Sequence, residues 1–149
     1  MIRTADQAEK FAVAGDVYAF LATGEETNDA YALIEAAVPP GGGPPPHTQG
    51  DVELFYVLKG EVTFTVEGED VVAGPGTSVR VEPGVVHAFK NRSGAPARML
   101  IQTLPAGMEH YFREVGRPAA SMDDHAPPTP QEIAKLKITA PKYGIELKI

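Results

Sequence analysis

Glycine and proline punctuate this chain so often that long helices are excluded from most of it. Fifteen glycines and fourteen prolines are spread over 149 residues, and they fall between short runs rich in Val, Tyr, Phe and Thr. Such runs, closely spaced and bounded by turn residues, predict short strands joined by tight turns. With no helical pattern between them, they predict an all-β antiparallel sandwich or barrel. The expected strands are Gly15 to Gly24, Asp29 to Val38, Asp51 to Lys59, Glu61 to Asp70 with its continuation into Val71 and Val72, Gly76 to Gly84, Val85 to Asn91 and Ala97 to Leu104. The second is alanine-rich and favours helix by propensity; its β-rich neighbours and the prolines that follow tip it to strand. "EVTFTV" alternates sharply, with Val62, Phe64 and Val66 on one face and Thr63 and Thr65 on the other.

The pattern changes after Leu104. Met108, Tyr111, Phe112 and Val115 recur at helical spacing and stop at Gly116. "TPQE" opens a second helix with a capping box, Thr129 as N-cap, Pro130 at the first helical position and Glu132 reaching back. Ile133, Leu136 and Lys137 share one face of it, and Pro141 is expected to end it. The tail "YGIELKI" has the composition of an edge strand. The expected organisation is one domain over residues 1–149, with a barrel at about 15–104 and a helical extension at about 105–149.

The net charge of -7 argues against nucleic acid or an anionic membrane as partner, since either needs clustered Lys and Arg. Cysteine is absent, which removes disulfides and thiolate metal sites. The start "MIRTADQAEKF" lacks an apolar signal core, and no run is long enough to span a bilayer, so the expected location is cytoplasmic.

The chemistry concentrates in "GGGPPPHTQGDVELFYVLKGE", Gly41 to Glu61. On an extended chain His47, Gln49, Asp51, Glu53, Phe55 and Val57 have equal parity, so with strand geometry back to His47, His47, Gln49 and Glu53 share a face with two apolar residues. A carboxylate on an apolar face needs a partner. His87, on the later strand "VVHAFKN" and aimed by the turn at Pro83-Gly84, supplies a second imidazole. His47, Gln49, Glu53 and His87 together form a credible ligand set for a divalent cation with open coordination positions. The competing reading makes the histidines hydrogen-bonded structural residues and leaves Gln49 and Glu53 on a solvated face.

These residues also resemble a known family. Gly41, His47, Gln49, Glu53 and Gly60 stand at the spacing of the first cupin motif. Gly76, Glu82, Gly84, His87 and Asn91 stand at the spacing of the second. The "FYVLKGEVTF" strand pair and the late capped helix are similar to the small single-domain cupins grouped with quercetin dioxygenase. The resemblance spans about Ala30 to Leu104. It implies a double-stranded β-helix, or jelly-roll, barrel with one or two C-terminal helices. It also implies a metal (Fe, Mn, Ni, Cu or Zn) near one mouth, held by His47, Glu53 and His87. Gln49 stands where the family pattern has a second histidine, and Glu82 where it has a proline. The amide is a weaker and harder donor than imidazole, which favours manganese, zinc or a more labile ion.

The expected function is that of a metal-dependent enzyme, a quercetinase-like dioxygenase acting with O2 on an enolic or phenolic small molecule. Glu53 serves there as ligand or general base, and Phe55, Val57, Phe64 and Phe89 line the substrate pocket. The alternatives are a non-catalytic small-molecule binding cupin and a non-redox isomerase, cyclase or lyase. A homodimer is expected, with Met1 to Ala14 and Thr129 to Ile149 as candidate pairing segments. Arg80 is expected to point outward, because Val79 and Val81 take the opposite face. His110 and His125 are expected to be solvated.

Overall fold

The computed structural model describes residues 1–149. Twelve strands and three α-helices follow one another along the chain. They are β1 (Glu9–Val13), β2 (Asp16–Ala22), α1 (Gly24–Thr27), β3 (Ala32–Val38), β4 (His47–Thr48), β5 (Val52–Lys59), β6 (Val62–Val66) and β7 (Glu69–Ala73). Then come β8 (Ser78–Val81), β9 (His87–Lys90), β10 (Ala97–Leu104), α2 (Met108–Val115), β11 (Arg117–Pro118), α3 (Pro130–Thr139) and β12 (Glu146–Leu147). A seven-stranded sheet has the order β11-β1-β2-β3-β10-β5-β8, and a five-stranded sheet the order β12-β4-β9-β6-β7. Every pairing within them is antiparallel. The sheets do not close into one continuous barrel; they face each other as a jelly-roll sandwich.

The alternation read in the sequence decides what lies between the sheets. Glu53, Phe55 and Val57 point inward from β5, while Tyr56 and Leu58 point out. Val62 and Phe64 of β6 and His87 and Phe89 of β9 point inward from the facing sheet. Phe55, Phe64 and Phe89 meet with ring centroids 5.0 to 5.9 Å apart, a tilted cluster that fills the centre of the core. Ala32–Val38 is a strand despite its alanines, because β2 and β10 flank it and tertiary pairing overrides propensity.

The sheets use more chain than the span 15–104. β1 was not foreseen, and β11 and β12 come from the C-terminal extension. The Met1 to Ala14 segment is thus paired within its own sheet over Glu9–Val13, where β1 lies against β2. The two longer helices form where their spacing places them. In α2 the carboxylate of Glu109, wholly buried, accepts the Gly107 and Gly24 amides at 2.6 Å each, tying the helix start to α1. In α3 Thr129 accepts the Glu132 amide at 3.2 Å and Glu132 accepts the Thr129 amide at 2.7 Å, completing the capping box. Of the three residues expected on one face of α3, only Leu136 turns to the core; Ile133 and Lys137 are exposed. The chain does not stop turning at Pro141 but makes a 3-10 turn over Ala140–Tyr143. No helix is long and apolar enough to cross a membrane.

Candidate metal centre

The loop Gly41–Pro46 earns its composition by lying against the backbone of β9. The Gly41 amide donates to the Asn91 carbonyl at 2.8 Å, and the Asn91 amide donates to the Gly42 carbonyl at 2.9 Å. Gly43 has φ +127°, and a Cβ there would collide with the Phe89 carbonyl oxygen. This close approach delivers β4 beside β9, with His47 directly opposite His87 in register. Asn91, wholly buried, locks the far end: its Nδ2 donates to Val38 O at 3.0 Å and to Ala95 O at 2.8 Å.

Convergence therefore arises differently from the expectation. His47 and Glu53 do not share one strand face. The chain leaves β4 in one sheet, passes Gln49–Asp51, and enters β5 in the other. Glu53 meets the histidines across the sandwich. Their ligand atoms all lie within 4.8 Å of one another, and all three residues are buried.

Hydrogen bonding assigns the protons. His47 Nδ1 donates to Pro45 O and His87 Nδ1 to Val85 O, each at 2.9 Å. A carbonyl only accepts, so in each neutral ring Nε2 is a bare lone pair. His47 Nε2 lies 3.0 Å from Gln49 Oε1, and His87 Nε2 lies 3.0 Å from Glu53 Oε1. Each contact sets one acceptor against another unless positive charge sits between them. Burial works to discharge His87, but the hydrogen bond and charge of Glu53 outweigh it and hold that ring above the usual imidazole range. Burial, then the neighbouring His87, pushes His47 below that range. A proton thus serves the His87–Glu53 pair, while His47 Nε2 and Gln49 Oε1 remain two unprotonated acceptors at contact. Two imidazolium rings with centroids 4.3 Å apart would repel strongly. The donor set fits a divalent cation: two imidazole nitrogens and a carboxylate within 4.8 Å of one another, with an amide oxygen 3.0 Å from one of the imidazoles. Thr103, the register partner of Glu53, adds a wholly buried hydroxyl with no hydrogen-bond partner.

Beside the cluster lies a cavity of about 80 Å³, reached by His47, Gln49 and Glu53 and otherwise walled mainly by apolar side chains. Its walls are Tyr18, Phe89, Ile101, Met108, Tyr111 and Phe112, with Leu136, Ile145 and Leu147 closing it from the C-terminal extension. Of the four expected pocket residues only Phe89 lines it. Phe55, Val57 and Phe64 point inward but lie deeper between the sheets, where Phe55 sets its edge toward the His87 ring at 6.3 Å. The actual lining comes largely from α2 and the tail. The apolar spacing of Met108, Tyr111 and Phe112 was legible, but not the surface it covers. Tyr18 was legible only as a strand residue; it stacks on Phe112 at 4.2 Å, and its hydroxyl donates to buried Asp16 at 3.0 Å. Asp51, half-buried, accepts from Gln49 Nε2 at 2.6 Å. Burial, then the charge of Glu53, pushes its carboxyl up to about 6.

The remaining candidates lie away from the site. Arg80 points out, paired with Glu82 at 2.6 Å on the surface. His110 is part-exposed near Glu25, and His125 is exposed.

Comparison with known proteins agrees with this geometry. Residues 34–103 match the family model described as a cupin domain. Over 113 residues, 75% of this chain, the sequence is 22% identical to quercetin 2,3-dioxygenase of Bacillus subtilis. This chain spans about a third (33%) of that relative's length. An RmlC-like cupin from Shewanella frigidimarina superposes with a TM-score of 0.65 at 20% identity, over 73% of this chain and 94% of the other. A predicted oxalate decarboxylase from Thermotoga maritima superposes with a TM-score of 0.63 at 24% identity, over 70% of this chain and 99% of the other. The match over residues 34–103, the jelly-roll and the assembled His47–Glu53–His87 cluster make this chain similar to the small cupins.

Proposed function

We propose that this protein is a metal-dependent cupin enzyme, a quercetinase-like dioxygenase acting on an enolic or phenolic small molecule. One observation supports the metal reading: the ligand atoms of buried His47, Glu53 and His87 lie within 4.8 Å of one another, and Gln49 Oε1 lies 3.0 Å from His47 Nε2 with no proton between them. These four residues would hold a divalent cation, which in such a site binds substrate oxygens and, in oxygenases, supports reaction with O2. The chain's own part is to bind, dry and deprotonate. Apolar walls from α2 and the tail keep water from the reacting end. Glu53, directed at the cavity from the rigid β5, accepts the proton of a substrate hydroxyl. An enol or phenol suits this arrangement, with an oxygen for the cation and an apolar body for the walls. The dioxygenase class draws support from the similarity to quercetin 2,3-dioxygenase.

Gln49 favours a second reading, a non-redox isomerase, cyclase or lyase. A neutral amide in place of an imidazole suits zinc and other labile ions better than a tightly held redox metal. Elemental analysis of the purified protein combined with oxygen uptake on flavonols decides between them. Chelator-sensitive O2 consumption supports the dioxygenase. A metal-loaded protein that consumes no O2 with flavonols or simpler enols transfers support to the non-redox class. We also propose that the chain works as a homodimer in the cytoplasm; light scattering at about twice the 15.8 kDa chain mass is the expected result.

A further inference from the structure

Asp51 has no place among the proposed ligands, yet it makes one of the shortest hydrogen bonds near them. A primary amide has two unlike ends, an oxygen that accepts and a nitrogen that donates. The Gln49 side chain is buried, and its two ends meet different neighbours. One end faces His47 Nε2, a lone pair once Nδ1–H is committed to Pro45. The other faces Asp51 Oδ1 at 2.6 Å. With His47 as its only neighbour, the amide would turn its NH2 inward and donate to that lone pair. The imidazole would then be capped and the amide oxygen withdrawn from the site. An ionised carboxylate only accepts, so Asp51 reverses the choice: it takes the NH2 and leaves Oε1 facing the histidines. The backbone about which this side chain turns is itself pinned, since the Gly84 amide donates to Gln49 O at 2.9 Å.

We infer that Asp51 is a positioning residue that orients the Gln49 amide, turning it from a donor that would block His47 into an oxygen ligand for a divalent cation. The inference rests on the metal-site reading above. It accounts for the departure from the family pattern: an imidazole at this position needs no such partner, whereas an amide does.

A double-mutant cycle tests it. The affinity of the metal-free full chain for Co²⁺ alone is measured by competition with a chromophoric chelator at mildly alkaline pH. The variants are Asp51→Asn, Gln49→Ala and the two combined. Asp51→Asn keeps the shape but offers a donor as well as an acceptor, so the amide is free to turn. It is expected to weaken Co²⁺ binding about 10- to 100-fold. In the Gln49→Ala background, with no amide left to orient, the same change is expected to alter affinity by less than about threefold. An equal loss in both backgrounds overturns the inference, because Asp51 then acts through its charge. His87→Ala separates the two levels. If it leaves Co²⁺ binding intact, the metal site itself is wrong; if it abolishes binding while Asp51→Asn does nothing, only the role of Asp51 falls. Should Asp51→Asn not fold, NMR of the wild-type Gln49 NH2 decides. Protons close to Asp51 support the orientation, and protons close to the His47 ring overturn it.

Discussion

His87 shows how much one buried side chain can carry. Its ring is fixed by Val85 on one nitrogen and faces Glu53 with the other, and it is nearly inaccessible to solvent. His87→Ala should strip the metal while the sheets still form, because the Phe55–Phe64–Phe89 cluster fills the core without it. The apo-protein should lose about 1–3 kcal/mol, since Glu53 is left buried without its partner. Metal content and circular dichroism together check this, and loss of the fold would recast His87 as structural. Gln49→His should raise metal retention through dialysis against chelator, since imidazole is the better donor. Unchanged retention would place the amide outside the coordination sphere. At this scale the sequence was informative about residue types. Parity within β5 placed Glu53, Phe55 and Val57 on the inward face, where they lie. Parity could not reveal that His47 belongs to the other sheet, because the switch occurs in three residues of irregular backbone.

Among the elements, the loop Gly41–Pro46 matters most for the site. Gly43→Ala forces a β-carbon against the Phe89 carbonyl at a backbone angle hostile to L side chains. The expected loss is about 2 kcal/mol or more, with weaker metal retention because His47 is displaced from β9. Denaturant melts and chelator dialysis measure the two effects; a neutral substitution would mean that this loop does not aim His47. The helices illustrate the limit of reading elements singly. The spacing in α2 and the capping box of α3 were sufficient to predict both helices. Their shared position, walling the cavity beside the His47–Glu53–His87 cluster, depends on contacts such as Tyr111 Oη donating to Leu136 O at 2.9 Å, which join residues 25 apart in the chain. β12 likewise has a strand-like composition, yet what matters is its partner, β4, which carries His47.

For the whole molecule, the larger share of pH sensitivity should reside in Asp16, with Asp51 adding to it below about 6. Asp16 is wholly buried with one carboxyl oxygen unpartnered, and burial pushes its carboxyl up to about 7. The unfolded chain releases this proton near the ordinary carboxylate value of 3.8, while the folded chain keeps it to about 7. Between those values the native state binds more protons, so stability falls as pH rises, then levels off above about 7. Asp16→Asn keeps an acceptor for the Tyr18 hydroxyl and removes the titration. It should flatten the slope and stabilise the protein at alkaline pH by on the order of 4 kcal/mol. Thermal melts across that range check it; an unaltered slope would assign the pH dependence elsewhere.

The sequence alone was enough for the sandwich class, most strand positions, the two capped or amphipathic helices, and for naming His47, Glu53 and His87, which the fold brings together. These are local properties, written in period-2 alternation, turn residues and short intervals. The tertiary structure alone decided that His47 and Glu53 meet from opposite sheets, that Phe55, Val57 and Phe64 are core while Tyr18 and the C-terminal extension wall the cavity, and which end of the Gln49 amide faces inward. Those outcomes depend on which surfaces pack against each other and which acceptors are left without protons, and neither is a property of any short stretch of chain.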